Sequence, residues 1–129
     1  MLHLKKIHHI AVICSDYEAS KKFYTEVLGF TIQAEHYRSE RQSWKLDLSL
    51  NGQYLIELFS FPDAPARVSR PEARGLRHLA FEVADIEQAV KALHQKNVST
   101  EAIRTDEFTG KRFTFFSDPD GLPLELYEQ

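Results

Sequence analysis

Cysteine is almost absent from this chain of 129 residues: Cys14 stands alone, so no disulfide can form within it. A reducing compartment, the cytoplasm, is the expectation. An excess of basic charge is lacking as well. Sixteen lysines and arginines against nineteen aspartates and glutamates leave a net charge of −3, which gives no field to recruit nucleic acid. Long apolar runs are missing, and no stretch approaches the roughly 20 residues that a membrane helix needs. The run Ile10 to Cys14 is short, follows two histidines and leads to Asp16 without a small-residue cleavage site, so it does not read as a secretion signal. Neither nucleic acid nor membrane is an expected partner. The 43% hydrophobic and 27% charged residues that are present are the composition of a globular protein. A chain of this length fits one domain that buries roughly two-thirds of its extended surface.

An internal repeat runs through the sequence. His9-Ile10-Ala11-Val12-Ile13-Cys14-Ser15-Asp16 and His78-Leu79-Ala80-Phe81-Glu82-Val83-Ala84-Asp85 each pass from a histidine through apolar residues to an aspartate, with 16 − 9 = 85 − 78 = 7. Each is followed by an apolar strand with one glutamate, Tyr54 to Phe59 carrying Glu57 and Leu122 to Tyr127 carrying Glu125; the intervals are 57 − 9 = 48 and 125 − 78 = 47.

In chain order, Ile7 to Cys14 reads as a strand buried on both faces, since its alternation is poor. Ser15-x-x-Glu18 fits a capping box for a helix with Ser20, Phe23, Tyr24, Val27 and Leu28 on one face, ended by Gly29. Phe30 to Arg38 is a second strand. Trp44, Leu46, Leu48 and Leu50 alternate with polar residues in a third, and Asn51-Gly52 supplies a type I′ hairpin to a fourth, Tyr54 to Phe61. Residues 62–74 hold three of the five prolines and read as a linker. The second half repeats the order: strand Leu76 to Val83, a helix capped by Asp85 with Ile86, Ala89, Val90 and Leu93 on its apolar face, a weak strand Thr100 to Thr105, a strong one Arg112 to Ser117, the turn Asp118-Pro119-Asp120-Gly121, and Leu122 to Tyr127. The expected fold is α+β: one domain, residues 1–129, of two βαβββ modules (about 5–61 and 75–128) whose curved mixed sheets make a half-barrel cleft.

A histidine or glutamate alone in an apolar strand signals little. His9, Glu57, His78 and Glu125 recur at equivalent points of a repeated unit, and an ionised carboxylate in an apolar strand is costly unless it is paired or binds a cation. One shared cation is the economical explanation. Alternation directs His8 to the outer face, since its repeat partner is Arg77. Two imidazoles and two carboxylates suit a divalent ion, with nickel, zinc, cobalt, manganese and magnesium all open. Four protein ligands on an octahedral ion leave two positions for a substrate that chelates through neighbouring oxygens, which stabilises an enediolate formed when a proton leaves the carbon next to a carbonyl. A nearby carboxylate serves as base.

Phe23-Tyr24-Thr25-Glu26-Val27-Leu28-Gly29-Phe30, Ile56-Glu57-Leu58, His78-Leu79-Ala80-Phe81 and Asp118-Pro119-Asp120-Gly121 with Glu125-Leu126 resemble the vicinal oxygen chelate superfamily, and within it the glyoxalase I-like group. The likeness covers nearly the whole chain. It implies paired βαβββ modules, metal ligands His9, Glu57, His78 and Glu125, Glu125 as the base with Glu57 second, and a homodimer acting on a small molecule, with the modules pairing within one chain or across two. Glyoxalase I proper has an arginine four residues after the first ligand and an asparagine four after the second, both holding glutathione; here these are Ile13 and Phe61, so glutathione is not expected to bind in the usual mode.

Arg38, Arg41, Lys45, Arg67, Arg70, Arg74, Lys111 and Arg112 are cations that could hold another acidic substrate. Most suit a solvated face. Arg70 and Arg74, just before the His78 strand, and Arg112 are the expected substrate contacts, with Phe61 and Ile13 lining the site. The leading expectation is a glyoxalase-like lyase or isomerase. The alternatives are a ring-cleaving dioxygenase, disfavoured by the fourth ligand, and a non-catalytic binding or resistance module, disfavoured by retention of all four.

Overall fold

A computed structural model describes residues 1–129. The chain divides into two compact units, residues Met1–Ala66 and Arg67–Gln129. The first runs β1 (Ile10–Cys14), α1 (Tyr17–Lys22), β2 (Thr31–Arg38), β3 (Ser43–Leu50) and β4 (Gln53–Ser60); the second runs β5 (Leu79–Val83), α2 (Ile86–Gln95), β6 (Arg104–Thr105), β7 (Arg112–Ser117) and β8 (Pro123–Glu128). Each unit holds a four-stranded mixed sheet of the same topology, β1-β4-β3-β2 and β5-β8-β7-β6, in which the first pair is parallel and the others antiparallel. This is the expected α+β arrangement of repeated βαβββ units. No helix is long and apolar enough to cross a membrane.

Local chemistry accounts for most boundaries. Asn51 and Gly52 have φ of 51° and 79°, the left-handed pair that a type I′ turn demands. The cap of α1 is one residue later than the sequence pattern suggests: the Asp16 carboxylate, not the Ser15 hydroxyl, accepts from Ala19 N at 3.1 Å. Asp85 plays the same part for α2, accepting from Gln88 N at 3.1 Å, so the repeat extends to the caps. The last turn after α1 is π-helical, over Phe23–Val27. Gly29, at φ 83°, lets Phe30 N donate back to Tyr24 O at 2.9 Å and closes it.

The strand β1 is not buried on both faces. It lies at the sheet edge, paired only with β4, and its residues alternate, Val12 and Cys14 buried and Ala11 and Ile13 exposed. In the first unit Leu46, Leu48, Ile56 and Leu58 are fully buried on the face that α1 covers, where the Tyr17 ring stacks on Trp44 at 5.1 Å. In the second, Ile86 and Leu93 of α2 and Leu124 and Leu126 of β8 form the core.

Candidate functional site

Strand register decides which residues share the face turned away from each helix. In the first sheet Ala11, Glu57 and Asp47 form one rung, and Ile13, Phe59, Lys45 and His36 the next. In the second, Ala80, Glu125 and Phe115 are one rung, and Glu82, Tyr127 and Phe113 the next. Both glutamates therefore occupy the helix-free face of a central strand.

Each faces a histidine from its own unit. His9 Nε2 lies 3.8 Å from Glu57 Oε1, and His78 Nε2 lies 3.9 Å from Glu125 Oε2. The carboxylates are only 15% and 14% exposed, so both are largely withdrawn from water. No three His, Cys, Asp or Glu side chains form a group able to hold a metal ion, and each unit displays one donor pair.

The donor chemistry and spacing of each pair fit a cation. Two bonds of ~2.1 Å span at most ~4.2 Å, and neighbouring donors around one ion sit ~3.0–3.4 Å apart. The observed separations of 3.8 and 3.9 Å lie inside that reach, so in distance alone either pair can meet at one ion.

The two histidines are held differently. His8 does not turn to the outer face, because β1 begins only at Ile10 and strand alternation does not reach it; its Nδ1 lies 2.8 Å from His9 Nδ1. With His9 as donor in that contact, His9 Nε2 presents a lone pair toward Glu57. The His9 ring also stacks on Tyr54 at 5.3 Å. His78 Nδ1 instead faces Arg77 Nη1 at 3.3 Å. A guanidinium only donates, so a neutral His78 in this contact carries its proton on Nε2. Ligation through Nε2 requires the other tautomer and release of Arg77, which also meets Glu72 at 2.8 Å.

The glutamates differ more sharply. Glu57 Oε2 accepts from Tyr54 Oη at 3.1 Å and faces Lys45 Nζ at 3.3 Å, while Asp47 draws on the same two donors at 3.1 and 2.7 Å. Hydrogen bonding to Asp47 chiefly holds the Lys45 ammonium above the usual lysine range, and burial, then Asp47, pushes the Tyr54 phenol up. At the equivalents of Asp47 and Lys45 the second unit has Phe115 and Phe113. Glu125 accepts no hydrogen bond, and the His78 ring is its one neighbour at ion-pair range. Glu57 is thus tethered, and Glu125 is not.

Tyr54 and Asp47 escape sequence reasoning, because strand alternation sends residues 54 and 57 to opposite faces. The β3–β4 register slips by one residue between Leu48 and Ser49, and this bulge carries the Tyr54 ring onto the Glu57 face.

Of the expected substrate contacts, Ile13 lies on the Glu57 face, 51% exposed, and Phe61 stacks on Phe59 at 5.7 Å. Arg70 and Arg74 are exposed in the segment between β4 and β5. Arg112 belongs to the opposite face from Glu125: its Nε and Nη2 donate to Glu128 at 3.0 and 2.9 Å, and Nη1 lies 3.5 Å from Glu87 of α2. It ties helix to sheet, and the expectation that it meets substrate is set aside.

These pairs, repeated on matching βαβββ units, coincide with a family match. The model of the Glyoxalase/Bleomycin resistance protein/Dioxygenase superfamily matches residues 6–126. The chain belongs to this superfamily. It is 69% identical over 126 residues to the uncharacterized protein YwkD of Bacillus subtilis, covering 98% of each chain, and 67% identical to the uncharacterized protein YaeR of Escherichia coli, covering all of both. The crystal structure of a glyoxalase family protein from Enterococcus faecalis superposes with a TM-score of 0.90 at 53% identity, over 96% of this chain and 98% of that one. More distant relatives are enzymes of the same superfamily: a 2-epi-5-epi-valiolone epimerase from Actinomyces, 30% identical over 93% of this chain and 77% of that protein, and the metallothiol transferase FosB of Staphylococcus saprophyticus, 30% identical over 96% and 77%.

Proposed function

We propose that this protein is a metal-dependent lyase or isomerase of the glyoxalase-like kind, and that it moves a proton on the carbon next to a carbonyl of a small substrate. His9, Glu57, His78 and Glu125 are the four protein ligands of one divalent cation. They come in two pairs from two modules, which together act as one domain within a chain or across a cytoplasmic homodimer. The carrying observation is that each unit holds a histidine nitrogen within 4 Å of a withdrawn carboxylate, at equivalent places of the repeat.

When bound, the cation supplies positive charge at the oxygens where negative charge develops as the proton leaves. Glu57, fastened by Tyr54 and Lys45, stays in place and orients the donor set. Glu125 lacks such a tether and can swing. Its carboxylate takes the proton from the hydroxyl-bearing carbon α to the carbonyl, the C–H electron pair passes into the enediolate, the same carboxyl returns the proton to the former carbonyl carbon, and the hydroxyl proton moves to that carbon's oxygen. Ile13 and Phe61 offer no side-chain polar group to a peptide substrate, which supports a substrate other than one held in the usual glutathione mode.

Elemental analysis after purification and reconstitution with nickel, cobalt, zinc and manganese tests the ligand set. Wild type should retain metal, His9→Ala and His78→Ala should lose it, and Glu125→Gln should keep a reduced share. Equal and negligible metal in all four proteins would overturn the proposal. Oxygen uptake with catechols would assign the protein to the dioxygenase branch instead.

A further inference from the structure

Beyond the donor pairs, the helix-free face of the first sheet carries two arginines on aromatic rings. Arg38 Cζ lies 4.7 Å from the Phe59 ring centroid and 5.7 Å from that of Phe61, and Arg41 Cζ lies 5.4 Å from Phe61. The two guanidinium groups share one ring. Phe59 and Phe61 are themselves stacked, interplanar angle 14°, so the rings form a continuous support that fixes the guanidinium planes.

Neither arginine has a carboxylate partner. Arg77, Arg104 and Arg112 each lie within 4 Å of one, whereas Arg38 meets only a hydroxyl, donating from Nη2 to Ser43 Oγ at 3.2 Å. Its Nε is buried and has no hydrogen-bond partner. No carboxylate occupies the Nη donors of either guanidinium, and an oxyanion is the acceptor that suits them. Lys45, on the same rung as Phe59, is already engaged by Asp47 and Glu57.

We propose that Arg38 and Arg41, seated on Phe59 and Phe61, form a subsite for the carboxylate or phosphate end of a small anionic substrate. Assigning that anion to the substrate rests on the function proposed above; the subsite itself rests on the four side chains. At ~3.3 Å per strand residue, Phe59 stands ~7 Å along β4 from Glu57, and Phe61 follows just past the end of the strand. A short carboxylic or phosphoric acid spans that interval with its reacting carbon at the Glu57 end.

The test uses metal-free wild-type protein, dialysed against chelator and titrated calorimetrically with inorganic phosphate and with succinate at constant ionic strength. The arm that binds more tightly identifies the headgroup. Arg38→Gln should weaken that binding by about tenfold or more, the loss expected for a charge-assisted contact. Arg41→Gln should weaken it by a smaller factor, and Arg38→Lys, which keeps the charge without the fork, should fall between wild type and Arg38→Gln. Arg112→Gln should match wild type. Thermal unfolding of each variant establishes that it is folded, and Arg41, on an exposed turn, supplies the readout should Arg38→Gln fail to fold. No binding of either anion to wild type, or equal binding by wild type and the Arg41 and Arg38 variants, would overturn the subsite. Because the protein is metal-free, that failure leaves the metal-site proposal standing, and loss of metal in the histidine variants leaves the subsite standing.

Discussion

At the scale of single residues the two glutamates part company. Glu57 sits in a polar mesh with Tyr54, Asp47 and Lys45; Glu125 sits beside phenylalanines and one histidine. Under the proposed function, a repeat that preserves the charged residue but changes its surroundings would give holding to one half and proton transfer to the other. Removing the phenol should therefore loosen the holding half. Tyr54→Phe is expected to lower metal affinity about tenfold, the usual size of an outer hydrogen bond to a ligand. Competition with a chromophoric chelator measures it, with Tyr37→Phe, on the α1 side of the sheet, as the unaffected control. Glu125→Gln should reduce turnover by ~10²–10⁴ while leaving the fold intact, as loss of a general base does.

Between elements, short polar clusters fix helix to strand and turn to strand. Tyr17 donates to Glu35 of β2, and Lys21 Nζ lies 2.7 Å from the same oxygen. The Lys21 hydrogen bond first, then that of Tyr17, holds the Glu35 carboxyl below its ordinary value. Its contribution to stability is therefore complete above the ordinary glutamate range and is lost as pH falls through the lowered folded value. Melting curves of wild type and Glu35→Gln should separate near neutral pH and converge in acid; a difference that stays constant with pH would remove the linkage. Asp118 does comparable work ahead of β8, its Oδ1 accepting from Asp120 N and Leu122 N at 2.9 Å each. Asp118→Ala removes the acceptor of both contacts and should cost about 1–3 kcal/mol in denaturant unfolding. Since the turn launches the strand that carries Glu125, metal retention should fall as well.

For the whole molecule, the repeat predicts stoichiometry. The proposed set of four ligands would make one strong site per chain, whereas two pairs acting alone would make two weak ones. Chelator titration should find one ion per chain, and His9→Ala and His78→Ala should weaken it alike; two equal weak sites, each erased by one variant alone, would refute the shared set.

The sequence by itself determined the repeat, the module order, the Asn51-Gly52 and Asp118 turns and the pairing of each histidine with a glutamate. These are properties of local periodicity and turn chemistry, which a linear pattern carries in full. The tertiary structure alone decided what surrounds each group: Asp16 rather than Ser15 as cap, His8 against His9, Tyr54 brought by a bulge onto Glu57, Arg112 drawn to the α2 side, and Arg38 laid on two rings. Those outcomes depend on strand register and sheet faces, and register comes from pairing residues far apart in the chain, where a slip of one position exchanges every neighbour.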